Sequence, residues 1–321
     1  MADLEATRKI MKTKYGLVAG LALGLVAVAG YAADVQQPKE RYESKILIEG
    51  KWGDKPGEYE YSMNEGNFSW PRQFAVDDKE NVYIVDALNN RVQHYDADGK
   101  LVAAIPLRGV AWLEPQKSDK RPASYSTRTI AIDRILFSDG AIYVVQSEWI
   151  SKGKGYGYEK KNVFVLKGKH FVGINGTAAQ AVLEQIKPDP FSIEGLKKLK
   201  ELFKNDAHFR VGTARTGMTD SAGKYVLKTY DIPIYNGQKV SFFFKDNKNN
   251  LWVHFPKTAH KYTSDGVLLA EIAIGDEYPV VAPDGEGVYS LVLSTDRPGN
   301  PQNLGFDDYK GIRIKKYTLV K

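Results

Sequence analysis

Between Gln73 and Pro106 the sequence alternates short apolar runs with polar breaks. Gln73–Asp77 is followed by "DDKEN", Val82–Asp86 by "ALNN", Arg91–Asp96 by "DADG", and Lys100–Pro106 closes the series. Val, Ile and Tyr fill the runs, while Asp, Asn and Gly fill the breaks. This is the pattern of strands joined by tight turns. Four strands in this order make one antiparallel sheet. A sheet that small cannot bury both of its faces alone, so it needs copies to pack against.

The copies are present. "VDDKENVYIV" (76–85) matches "KDNKNNLWVH" (245–254), and "HYDADGKLVAAI" (94–105) matches "KYTSDGVLLAEI" (261–272). The offsets, 169 and 167 residues, are close to four units of roughly 42 residues, a usual blade length in a propeller. "RTIAIDRILFSDGAIYVVQ" (128–146) reads as a further first and second strand, with a third at 162–171. "YPVVAPDGEGVYSLVLS" (278–294) reads as another such pair, and "GIRIKKYTLV" (311–320) as its third strand. No fourth strand follows. "SKILIEGKWG" (44–53) has the pattern of the missing one, so the N-terminal strand is expected to complete the last blade.

The segment Trp70–Lys100 resembles the NHL repeat, a blade of β-propellers. Pro71, Asp77, Asp86, Asn89, Asn90, Arg91 and Gly99 fit the family pattern. The second unit fits it less closely, with Phe255 where the pattern asks for the counterpart of Asp86. The resemblance implies an all-β propeller with NHL-like four-stranded blades, six in number with five as the alternative. It also implies that Asp86 and Arg91 tie turns together by charge-assisted hydrogen bonds and do no chemistry.

Residues 175–238 interrupt the pattern. Thr177–Ile186 has helical spacing and stops before Pro188 and Pro190. Ser192–Asn205 sets Leu196, Leu199 and Phe203 on one face and lysines on the other. A helical insertion over 175–206 is expected, with strands of a partial blade at 208–235.

At the N-terminus Arg8, Lys9, Lys12 and Lys14 precede an uncharged run, Gly16–Ala33, rich in Gly and Ala. Basic flank, apolar stretch and small residues read as a signal segment over residues 1–32. The alternative is an uncleaved membrane anchor. The remainder, 33–321, is then the propeller, exported to a periplasmic or extracellular compartment. Removing residues 1–32 takes four basic and two acidic groups and lowers the net charge from +6 to +4. A charge that small selects no class of partner. There is no cysteine, which excludes disulfides, thiol catalysis and thiolate metal sites.

Loop length is unevenly distributed. In an up-and-down blade the first and third turns share one end, and the second turns and blade-to-blade connections share the other. The turns of the first kind are short. The long segments, 52–71, 108–127, 149–161 and 295–310, are all of the second kind. Long loops on a rigid scaffold carry function. The candidate binding residues on that end are Arg72, Trp112, Tyr125, Arg128, Trp149, Tyr156 and Tyr158. Aromatic groups among basic ones suit a protein or a glycan partner. Nucleic acid is set aside because an exported protein seldom meets it, and a membrane enters only through an uncleaved leading segment.

An enzyme would need convergent ligands or a nucleophile. The five histidines are His94, His170, His208, His254 and His260, and none falls in a clear innermost strand. No zinc-protease or serine-hydrolase motif is present, and the sequence names no cofactor. "NFS" (67–69) and "NGT" (175–177) fit the glycosylation sequon but carry nothing in the functional reading. The sequence thus reads as a non-enzymatic binding or scaffold module. The alternative is a metal-dependent propeller enzyme resembling amidating lyases or lactonases.

Overall fold

The computed structural model describes residues 38–64, 67–107, 128–153, 156–186, 193–219, 225–246, 248–274, 279–295 and 308–320. Side chains are described for these except within 63–68, 128–130, 149–159, 184–195, 214–230 and 241–244. The chain divides into a leading unit, Met1–Pro38, and a body, Lys39–Lys321. The expected signal segment lies outside the described residues.

The body is mostly strand, organised as up-and-down antiparallel sheets. Sheet I runs β4 (Phe74–Val76), β5 (Val82–Asp86), β6 (Arg91–Tyr95), β7 (Leu101–Pro106), within a residue of the sequence reading. Sheet II runs β8 (Arg128–Ser138), β9 (Ala141–Gly153), β10 (Tyr156–Lys167), β11 (His170–Ile174). Sheet III has three strands, β12 (Phe209–Thr219), β13 (Tyr225–Tyr235) and β14 (Gln238–Lys239). Sheet IV runs β15 (Ser241–Lys245), β16 (Leu251–His254), β17 (Thr258–Tyr262), β18 (Leu268–Ala273). Sheet V runs β19 (Val280–Val281), β20 (Gly287–Thr295), β21 (Tyr309–Leu319), and its fourth strand is β1 (Tyr42–Lys51). A small hairpin, β2 (Ser62–Asn64) and β3 (Asn67–Ser69), stands apart. Two helices, α1 (Gly176–Ile186) and α2 (Ile193–Leu202), occupy the expected insertion.

The turns explain why the repeats fold alike. Asp77 Oδ1 accepts from the Lys79 and Asn81 backbone N–H groups, and its Oδ2 accepts from Asn81 Nδ2. Asp246 makes the same three bonds to Lys248 and Asn250. The carboxylate stands in for a backbone acceptor and closes the turn locally. The third turn position is left-handed in both, with φ 62° at Glu80 and 65° at Asn249.

Consecutive sheets pack face to face. Ile48, Leu291, Ile312 and Ile314 of sheet V meet Phe74, Val76, Val82 and Ile84 of sheet I. Ala75, Tyr83, Val85 and Val92 of sheet I meet Ile135, Ile142, Val144 and Phe171 of sheet II. Trp252, Ala259 and Ile272 of sheet IV meet Val281, Val288 and Tyr317 of sheet V. Leu199 and Phe203, at the end of α2, join Phe209 and Tyr235 of sheet III to Val253 and Tyr262 of sheet IV. On the other face of sheet II, Val145 and Val163 pack against Val182 of α1. These are blades of a propeller in construction; of the helical insertion, α1 covers a face of sheet II and α2 packs against sheets III and IV.

Charge also joins the sheets. Three second-strand aromatics face a third-strand base in register: Tyr83 opposite His94, Trp252 opposite Lys261, and Tyr289 opposite Lys316. The Tyr83 and His94 rings stack at 4.4 Å. The two ammonium groups lie 5.5 and 5.6 Å from the aromatic centroids, within cation–π range. Each buried lysine takes a carboxylate from elsewhere in the body. Lys316 Nζ bonds Glu80 of the first turn in sheet I at 2.7 Å, and Lys261 Nζ bonds Glu40 at 2.9 Å. A buried ammonium is tolerable only when paired in this way.

Sheet IV should make the fold acid-sensitive. Burial pushes the His254 and His260 imidazoles down from 6.5 to about 4. The folded state therefore refuses protons that the unfolded chain accepts between these values. Stability from this source is fully present above the unfolded value and is lost as pH falls through the folded one. The melting temperature is expected to fall from pH 6.5 towards about pH 4. A melting temperature flat across that window would contradict the burial of both rings.

Candidate functional site

Of the four long segments, 108–127 and residues 296–307 of 295–310 lie outside the described residues, and with them Trp112 and Tyr125. The other two are not open loops. Residues 53–60 are held down by the end of sheet I. Arg91 Nε donates to Asp86 Oδ2 at 2.9 Å. Its terminal nitrogens donate to the carbonyls of Asp54 (2.6 Å), Lys55 (2.8 Å) and Glu58 (2.8 Å). Asp86, fully buried, also accepts from Asn89 Nδ2 and from the Glu60 N–H. Burial pushes its carboxyl up, against the lowering by these donors and by Arg91. Gln93 adds bonds to Gly57 N and Glu58 O, and the Tyr59 hydroxyl donates to that of Tyr95. The role implied for Asp86 and Arg91 is the one they play: they clamp the connection between blades.

Sheet II departs from this plan at the same place. Asp86 pairs with Arg91 in register, and their counterparts, Gln146 and Asn162, pair likewise. The charged lock is replaced by a neutral amide pair, and the strands continue past it. β9 is 13 residues long and β10 is 12, against five each for β5 and β6. The seven residues of β9 beyond Gln146 extend the hairpin by roughly 20 Å. Residues 149–161, expected as a loop, are therefore paired strand wherever they are described, from Trp149 opposite Glu159 to Gly153 opposite Tyr156. Gly and Lys have low strand propensity, but pairing to a neighbour overrides it.

A row of polar groups crosses the sheet at the root of the hairpin. Gln146, Ser147 and Glu148 are buried. Asn162 Nδ2 donates to Gln146 Oε1 at 2.9 Å and to Glu148 Oε2 at 3.3 Å. By alternation with Ile142 and Val144, Gln146 and Glu148 share the face turned to sheet I. A bulge in β8 between Ile132 and Arg134 inserts Asp133. Its carboxylate accepts from Ser147 Oγ and from Lys161 Nζ. Gln73, just before β4, donates through Nε2 to the carbonyls of Ile132 (2.7 Å) and Asp133 (2.8 Å). A bulge at such a point commonly re-aims a side chain beside a functional site.

The expected site residues distribute around this row. Arg128, Ile150 and Tyr158 share one register position above it, and Trp149 lies opposite Thr129 and Glu159. Tyr156 is opposite Gly153. Arg72 is exposed, with its guanidinium 5.5 Å from the Trp70 ring. Arg72 and Arg128 do not stand at the same level. Gln73 touches β8 at residues 132–133, so Arg72 stands level with Asp133, and Arg128 lies several residues further along the extension. Asp133, Gln146, Ser147, Glu148 and Asn162 were not anticipated. Their signal was the polar triplet "QSE" inside the apolar run "AIYVVQSEWI".

The row's amides and carboxylates are bonded to one another, to Ser147 and to Lys161, and so brace the root of the hairpin. Among the described residues no group of three or more His, Asp or Glu side chains is placed to hold a metal ion.

No family model matches the chain, and no curated protein matches it by sequence. Solved structures do resemble it in shape. A gluconolactonase from Xanthomonas campestris is 9% identical over 90% of this chain and 92% of that one, with a TM-score of 0.30. A PQQ-bound aldose sugar dehydrogenase from Streptomyces coelicolor is 11% identical over 88% and 100%, TM-score 0.32. Virginiamycin B lyase from Staphylococcus aureus is 13% identical over 88% and 100%, TM-score 0.25. At such identities and TM-scores the likeness transfers no activity, substrate or residue role.

Proposed function

We propose that the chain is an exported, NHL-like β-propeller of five blades, closed by β1, that binds a protein or glycan without chemistry. Its working end is the one from which the β9–β10 hairpin projects. The observation that carries this reading is the asymmetry of the sheets. At one end the turns are short and self-contained: 77–81, 139–140, 246–250, 96–100 and 168–169. At the other, sheet II has a neutral amide pair where sheet I has its charged lock, and β9 and β10, at 13 and 12 residues, are the longest strands among the described residues. A paired hairpin is a stiffer platform than a loop, so aromatic groups on it lose less entropy on binding. Export rests on the basic and apolar segments of residues 1–32.

The test is a panel of glycans and envelope proteins screened against the chain, followed by substitution. Trp149→Ala with Tyr158→Ala is expected to weaken capture at least about tenfold and to leave the melting temperature nearly unchanged. Lys79→Glu and Lys248→Glu, in the short turns, are expected to do little. Loss of capture from the turn changes alone would place the working end wrongly. A panel with no partner at all would remove the binding reading.

A further inference from the structure

We propose that Asn175 is a site of spontaneous covalent modification, in which its side-chain amide is lost through ring closure onto Gly176. Two Asn–Gly pairs occur among the described residues, Asn175–Gly176 and Asn236–Gly237, and all four residues are exposed. Glycine following asparagine leaves the backbone nitrogen open to approach the side-chain carbonyl carbon. A Cβ placed on Gly176 or Gly237 would meet nothing within 4 Å, so water and the attacking nitrogen have room at both. Glycine takes the φ of 65° and 78° found there without steric cost.

The two pairs differ in how firmly the backbone is held. Asn236 and Gly237 are the central residues of a two-residue hairpin turn, with Tyr235 paired to Gln238 on either side. The Asn236 N–H also donates to the His208 carbonyl. Ring closure would have to pull that turn apart. Asn175 lies between the end of β11 and the start of α1. Gly176 is the first helical residue, so its N–H has no acceptor within the helix. Among the described residues no hydrogen bond holds the Asn175 side chain or the Gly176 nitrogen. Asn175 is free to reach the cyclisation geometry without local unfolding.

The chemistry balances with water as the co-reactant. Hydroxide removes the Gly176 amide proton, and the nitrogen attacks Cγ of Asn175. The Cγ–Nδ2 bond breaks and ammonia leaves, giving a five-membered imide. Water then adds to either ring carbonyl and breaks one C–N bond, which yields aspartate or isoaspartate. One water enters, one ammonia leaves, and nothing is oxidised or reduced. The new carboxylate sits at the N-terminus of α1, where negative charge is favourable, so the fold is expected to survive. The same change erases the acceptor of "NGT", so a glycan on Asn175 would block it.

The full-length chain is incubated in mildly alkaline buffer, digested, and its peptides weighed. The Asn175 peptide is expected to gain about one dalton and an isoaspartate form. It should do so at least about fivefold faster than the Asn236 peptide. In the denatured chain the two rates should agree within about twofold, because only the folded backbone separates them. Asn175→Gln, whose ring would be six-membered, should silence the first site. Equal rates in the folded chain, a faster Asn236, or a silent Asn175 beside a reactive denatured control would each overturn the proposal.

Discussion

Arg91→Ala is expected to cost about 3–5 kcal/mol, the range for breaking a buried ion pair. The change leaves the Asp86 carboxylate, fully buried, without its guanidinium. It also removes the donors to the Asp54, Lys55 and Glu58 carbonyls. Arg91→Lys should recover only part of the loss, because an ammonium cannot reproduce the planar fork. Replacing both charges by apolar residues, Asp86→Leu with Arg91→Met, should recover part for a different reason. It removes the uncompensated charge but still leaves the three carbonyls without their donor. Urea unfolding of the four chains measures this. A loss below about 1 kcal/mol for Arg91→Ala, the range of an exposed pair, would mean that the clamp is ornamental.

The clearest parts of the fold were those where local pattern and tertiary need agree. Val82–Asp86 and Arg91–Tyr95 pair in the register that their turns dictate. The N-terminal strand could be placed because the last sheet lacked one and 44–53 had the right alternation. Sheet II was misread where local propensity and pairing disagree. "SKGKGYGY" is poor strand sequence, yet its two halves support each other. Arg72 and Arg128 stand at different levels because the bulge at Asp133 and the lengthened strands shift the register. The pairings of Lys261 with Glu40 and Lys316 with Glu80 could not be read at all. Each joins residues more than two hundred positions apart, and nothing local marks a lysine as buried.

Removing residues 1–51 should leave a chain that unfolds or associates at room temperature. β1 supplies the whole outer edge of sheet V, from Tyr42 opposite Leu319 to Lys51 opposite Gly311. Without it β21 becomes a long unpaired edge, a template for pairing with another chain. Ile48 leaves the core between sheets V and I, a loss of about 1.5–3 kcal/mol for a buried side chain of that size. Glu40 leaves Lys261, which is only 3% exposed, and an uncompensated buried charge costs about 3–5 kcal/mol. The two losses together consume much of the roughly 5–15 kcal/mol that holds a folded domain. A truncated monomer with an unchanged melting temperature would contradict this.

The absence of cysteine allows ring closure to be tested by a single cross-link. Glu43 and Thr318 are exposed and directly opposed between β1 and β21. Opposed residues in an antiparallel pair have Cα atoms about 4.5–5.5 Å apart, within disulfide reach. Glu43→Cys with Thr318→Cys is expected to oxidise almost completely within one chain, which joins its ends and raises its melting temperature. Glu43→Cys with Val320→Cys, two residues out of register, should oxidise poorly. Cross-linking between chains, or equal yields from both pairs, would show that β1 does not close the blade in solution.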